Sequence, residues 1–221
     1  MSPARRIPVT LLAAALVALC LVGQAAAVAP AGATLNPAPA KAGVVAEPAA
    51  ASALETRRPA TLTLDQPLAT PAVEPAVSPS TRDGWSVLMT EGFEGIWPPV
   101  GGLWAVFDNN GPTGGDVYWD DANWPTGVHT GSWSAWPARG GANGVDPNSY
   151  YYPPDMDSWM VYGPFDLSGA SQANLEFWYW NDSAAGLDWF FWGHSGNGID
   201  FSGTQVSGNS GGWQQITLDL S

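Results

Sequence analysis

The sequence predicts an all-β domain, set behind an exported leader and an extended linker. Three observations carry this. All the aromatic residues, 13 Trp, 7 Phe and 6 Tyr, lie between Trp85 and Trp213. From Trp85 onward, short runs rich in aromatic and β-branched residues alternate with clusters of Gly, Pro, Asn and Asp. No twelve-residue stretch there holds an apolar 3.6-residue period free of Gly or Pro. Strands are expected at Ser86–Phe93, Leu103–Asp108, Ser132–Trp136, Ser158–Tyr162, Ala173–Asn181, Asp188–His194, Ile199–Val206 and Trp213–Leu220. Eight strands without a helix argue a β-sandwich, with a barrel as the alternative.

The chain opens with Arg5 and Arg6, then an apolar run from Val9 to Val22, then Gln24-Ala25-Ala26-Ala27. The run is short for a membrane span, which takes about 20 apolar residues. Charge, apolar stretch and small residues in this order are those of a secretory signal peptide over 1–27, cleaved after Ala27. Leu19 before Cys20 does not suit a lipoprotein site, and the flanks of Arg5-Arg6 do not suit a twin-arginine signal.

Residues 28–82 hold nine prolines and no aromatic residue. Proline removes backbone donors and alanine buries little area, so this stretch is expected to be a disordered linker or pro-segment. Leu62, Leu64 and Leu68 are its candidates for docking onto the domain. The folded domain is then expected over 83–221.

The net charge is −13, and Arg139 is the only basic side chain after residue 82. Phosphate binding needs clustered Lys and Arg, so nucleic acid and anionic membrane surfaces are excluded as partners. Neutral ligands and cations remain. Cys20 is the only cysteine, which leaves the domain without a disulfide or a thiolate metal site.

Two strands lack simple alternation: Leu175-Glu176-Phe177-Trp178-Tyr179-Trp180 and Trp189-Phe190-Phe191-Trp192. Such strands are covered on both faces or present an aromatic face outward. With Leu175, Phe177 and Tyr179 turned inward, Trp178 and Trp180 face outward beside Glu176 and Asp182. Flat aromatic faces next to carboxylates suit the stacking of sugar rings. The alternative is that the long loops 109–131 and 137–157 bury these tryptophans.

Catalytic motifs are weak. Gly208-Asn209-Ser210-Gly211-Gly212 resembles a nucleophile segment, but a serine needs a base and an orienting group. No helix follows it, and His129 and His194 are the only imidazoles. It reads as a hairpin turn. No His-Glu-x-x-His segment exists. Oxygen ligands for a hard cation are abundant at Asp108, Asn110, Asp116, Asp120 and Asp121, although the EF-hand pattern is not met.

Several segments together carry a resemblance. They are Glu91-Gly92-Phe93-Glu94-Gly95 with Trp97-Pro98-Pro99, Gly131-Ser132-Trp133-Ser134-Ala135-Trp136, Asp157-Ser158-Trp159-Met160 with Gly163-Pro164-Phe165-Asp166-Leu167-Ser168, and Trp213 leading to Leu218-Asp219-Leu220-Ser221. Over about 89–221 the chain resembles MAM-like jelly-roll domains, accessory modules of immune inhibitor A-type bacterial metallopeptidases and other large secreted proteins. The resemblance implies a jelly-roll-like β-sandwich without catalysis and a structural calcium ion, with Glu94 among its ligands. It also implies further strands beyond Ser221, so the sandwich is expected to lack its last strands and to self-associate through an open sheet edge.

Three functions are therefore expected: a non-catalytic secreted or cell-surface bacterial module that binds or spaces, a carbohydrate-binding module using exposed tryptophans, or an accessory fragment of a secreted metallopeptidase. The expected partner is an extracellular glycan or protein, with no transmembrane span left after signal cleavage.

Overall fold

The computed structural model describes residues 14–23, 55–65, 68, 80–82, 85–111, 116–124, 127–167 and 170–221. Among them are twelve strands and no helix. The strands are β1 (Ala14–Gly23), β2 (Thr56–Thr63), β3 (Ser80–Arg82), β4 (Trp85–Val87), β5 (Trp104–Asp108), β6 (Tyr118–Asn123), β7 (Trp133–Gly140), β8 (Asp157–Asp166), β9 (Asn174–Tyr179), β10 (Asp188–Ser195), β11 (Asp200–Ser207) and β12 (Gln214–Asp219). A six-stranded sheet runs β2-β11-β10-β1-β8-β5, and three two-stranded sheets are β12-β9, β3-β4 and β6-β7. Every pairing is antiparallel.

Successive side chains of a strand point to opposite faces. In the large sheet this alternation feeds two separate cores. Phe190, Trp192, Met160 and Val206 belong to one, together with Val117, Trp119, Ala138, Tyr179 and partly buried Leu175, Phe177, Ile216 and Leu218. That face therefore packs against β6-β7 and β9-β12. Phe191, Trp159, Val161 and Phe201 belong to the other core, closed by Leu64. The continuous aromatic run of β10 is thus covered on both faces, as a central strand requires.

The linker expectation needs correction. Thr56–Thr63 is a strand, paired with β11 from Thr56↔Ser207 to Thr63↔Asp200. Arg58 lies over the Trp189 ring at 3.9 Å, and Arg57 over Trp192 at 5.3 Å. The Arg57 guanidinium and the Tyr179 hydroxyl both donate to the Glu55 carboxylate, at 3.2 and 2.7 Å. Leu64 is 3% exposed, with Leu62 and Leu68 packed beside it. A proline-rich segment is ordered here because the aromatic surface of the domain receives it. Pro59 suits an edge strand, where its missing donor costs no ladder bond. Residues 28–54 lie outside the described residues.

The apolar run expected as the core of a signal peptide supplies β1, in the interior of the large sheet between β8 and β10. The cleavage site at Ala27 lies outside the described residues. An unbroken uncharged run satisfies a strand covered on both faces as well as a leader. Its register against β8 shifts between Ala15 and Val17, opposite Gly163-Pro164. Proline has no N–H to give to the ladder there.

Two further differences concern strand extent. The strand expected over Ser86–Phe93 ends at Val87, and the chain runs irregularly to the cis Trp97-Pro98 bond. The loop expected over 109–131 contains β6. A register shift between Tyr118 and Asp120 lets Trp119 and Ala122 both reach the core, which hides the period of two. At the other end, β12 pairs only with β9 among the described residues.

Candidate binding platform

The β9-β12 pair turns one face to the core and one to solvent. Leu175, Phe177 and Tyr179 pack inward, opposite Leu218, Ile216 and Gln214. Trp178 and Trp180 point outward and are 44% and 46% exposed. The overlying loops therefore leave both indoles accessible. Trp178 stands opposite Gln215, and Glu176 opposite Thr217. Trp180 meets Trp213, which precedes β12, edge-on at 6.2 Å between ring centroids. Aromatic rings at one end and polar side chains at the other form a strip along the strands.

The loop before β7 contributes His129, whose ring stacks on Trp178 at 4.0 Å with planes 17° apart. His129 also meets Trp213 edge-on at 5.5 Å. One face of Trp178 is thus taken by the imidazole. His129 and Trp213 are members of this site that the sequence reading did not assign to it. Trp213 follows from the β9-β12 register carried one position past Gln214↔Tyr179, whereas nothing local in the sequence places His129.

The frame behind the platform is tightly hydrogen-bonded. Asn181 is buried, and its side-chain amide donates to the Gly208 carbonyl at 2.8 Å. The Asn181 backbone N–H donates to Ser210 Oγ at 3.1 Å, and the Ser210 N–H donates to the Asn181 carbonyl at 2.9 Å. Ser210 Oγ in turn donates to the Gly212 carbonyl at 2.7 Å. These partners are backbone groups, as a turn requires, and none is an imidazole. Asp182, placed beside Trp180, accepts from the Asn209 amide at 2.7 Å and forms a bridge with Asn209. Together these bonds fix where Trp180 leaves β9 and where Trp213 enters β12.

The residues expected at calcium go to different places. Glu94 accepts the backbone N–H groups of Ser132 and Trp133 at 2.6 and 3.0 Å, closing the turn that leads into β7. Gly131 completes that turn at φ +74°, and a Cβ there would collide with Glu94 Oε1. Asp108 accepts from the Asn110 and Val117 N–H groups, and Asp116 from the Ala142 N–H. Asp108 and Asp116 line one concavity of about 450 Å³ with Val106, Phe107, Gly111 and Tyr118. Asp120 and Asp121 lie on β6 opposite Trp136 and Ala135. Among the described residues, no three His, Cys, Asp or Glu side chains gather as a ligand set.

Two of these carboxyls titrate abnormally. Partial burial pushes Asp108 up to about 6, and the charges of Asp157 and Asp116 add to the shift. Partial burial also pushes Asp121 up to about 6, helped by its hydrogen bond with Asp120. Desolvation disfavours the charged carboxylate in both.

No protein-family model, curated protein or solved structure matches the chain.

Proposed function

We infer that this chain is a non-catalytic, exported bacterial binding module of jelly-roll-like β-sandwich type that holds a neutral glycan on Trp178, Trp180 and Trp213. The observation that carries the reading is the pair of outward indoles, each nearly half exposed, on a strand whose alternate residues are locked in the core. Carbon-bound hydrogens on a pyranose face carry partial positive charge and suit the negative face of an indole. Glu176, Gln215 and Thr217 lie along the same strip and offer hydrogen-bond partners to ring hydroxyls. The net charge of −13 favours neutral over anionic sugars. The packing of β6-β7 and β9-β12 against one face of the six-stranded sheet supports the sandwich.

A glycan array probed with the labelled full chain tests this reading. Binding to at least one neutral glycan, lost in the Trp178→Ala, Trp180→Ala double variant, is the expected result. An empty array, or binding that survives both substitutions, removes the glycan from the proposal.

A further inference from the structure

The two faces of the Trp178 indole have different surroundings. His129 stacks on one face and also meets Trp213. The β9-β12 register, carried one position past Gln214↔Tyr179, sets Trp213 opposite Trp180. His129 therefore fills the side of Trp178 that looks toward Trp180. The other face looks along β9 toward Glu176, the next outward residue, with Gln215 and Thr217 on the neighbouring strand. Glu176, Gln215 and Thr217 are all exposed. Two residues along a strand span about 6.8 Å. A ring in van der Waals contact with the indole, about 4 Å away, therefore sits between Trp178 and the Glu176 side chain.

The Glu176 carboxylate has no hydrogen-bond or ion-pair partner among the described residues. Arg57 and Arg58 are taken by Glu55 and by the Trp192 and Trp189 rings, and Arg139 is the only basic side chain after residue 82. We propose that the ring seated on the free face of Trp178 is an amino sugar, whose ammonium group is held by Glu176 in an otherwise neutral glycan. The proposal rests on the glycan reading of the platform and adds a charge at one ring. An ammonium only donates and a carboxylate only accepts, so the two groups match without a competing orientation. Their charge-assisted hydrogen bond is roughly twice as strong as one to a hydroxyl. The same cation lies beside the negative face of an indole, the best aromatic partner for a positive charge. The net charge of −13 draws in a cationic ligand and repels an acidic sugar. Acetylation of the amine removes the charge and with it each of these contributions.

Two soluble oligosaccharides of one backbone test this: chitosan oligosaccharide, with free amines, and the same oligomer fully N-acetylated. Each is titrated into the full chain by calorimetry at about pH 6, where a sugar amine is protonated like an α-amino group. The free-amine oligomer is expected to bind at least about 5-fold more tightly, the joint effect of an exposed ion pair and an exposed cation–π contact. Glu176→Gln is expected to abolish that preference. Asp65→Asn removes an exposed carboxylate beside Leu64, whose core lies on the opposite face of the large sheet. It is expected to keep the preference, which separates a contact at Glu176 from general attraction between a polycation and an acidic protein. Trp178→Ala is expected to weaken binding of both oligomers. Equal affinities for the two oligomers overturn the proposal. So does a preference that Glu176→Gln keeps, or one that Asp65→Asn lowers as much as Glu176→Gln does. In those cases Trp178-dependent binding leaves the glycan platform standing. Binding of neither oligomer also overturns the proposal, while the array of neutral glycans still decides the platform.

Discussion

The imidazole of His129 lies flat on the indole of Trp178, with ring centroids 4.0 Å apart and planes 17° from parallel. The loop carrying His129 thereby sets the orientation of an otherwise exposed tryptophan. An aromatic pair of this kind contributes about 0.5–1.5 kcal/mol beyond area burial. His129→Ala is therefore expected to weaken glycan binding by about 2- to 10-fold, through loss of an ordered indole rather than loss of a ligand contact. A titration of wild type and variant against one array-selected glycan measures this. Unchanged affinity would mean that Trp178 holds its orientation without the imidazole.

The upstream strap is part of the fold. Leu64 is 3% exposed in the core formed by Trp159, Val161, Phe191 and Phe201. Leu64→Ala is expected to destabilise the protein by about 2–5 kcal/mol, the cost of emptying a buried leucine site. Urea denaturation followed by tryptophan fluorescence gives the value. A cost within about 0.5 kcal/mol, as for a surface substitution, would show that β2 and Leu64 are not anchored.

The turn beneath the platform separates framework from surface. Asn181 is 5% exposed and donates to the Gly208 carbonyl, whereas Asn209 pairs with Asp182 at the surface. Asn181→Ala removes two hydrogen bonds, to the Gly208 carbonyl at 2.8 Å and to Ser183 Oγ at 3.2 Å, although the Ser183 N–H still reaches that carbonyl, and is expected to cost about 1–3 kcal/mol. Asn209→Ala is expected to change stability by no more than about 0.5 kcal/mol. Denaturation of the two variants side by side checks the contrast, and equal costs would contradict it.

Acid should stabilise this protein through Asp108 and Asp121. Both have folded pKa values raised to about 6, above the ordinary aspartate value of 3.8. Between those limits the folded state binds more protons than the unfolded state, so stability rises as pH falls from about 6 toward 4. Above about 6 both states are ionised and the contribution is constant. The melting temperature is expected to rise on going from pH 7 to pH 5. In Asp108→Asn the rise should be smaller. A wild-type melting temperature that falls over this interval would contradict the assignment.

What the sequence made legible was what depends on local period. The alternation of β9 placed Leu175, Phe177 and Tyr179 inward and Trp178 and Trp180 outward, and each lies so. Other features depend on distant partners. Arg57-Arg58-Pro59 has little strand character, and its order comes from Trp189, Trp192 and a Tyr179 hydroxyl 122 residues from Arg57. The register shift in β6 conceals a strand among acidic residues that read as a loop. His129 reaches the platform only through the fold of its loop, so no spacing in the sequence could place it there.

Affinity electrophoresis through gels containing neutral polysaccharides tests the tryptophan platform as a glycan-binding surface most directly. Wild type is expected to be retarded in at least one gel. The Trp178→Ala, Trp180→Ala double variant should run as in a plain gel. Trp85→Ala, which removes an equally exposed indole elsewhere, should be retarded like wild type. Retardation that persists in the double variant, or no retardation of wild type in any gel, would contradict the account.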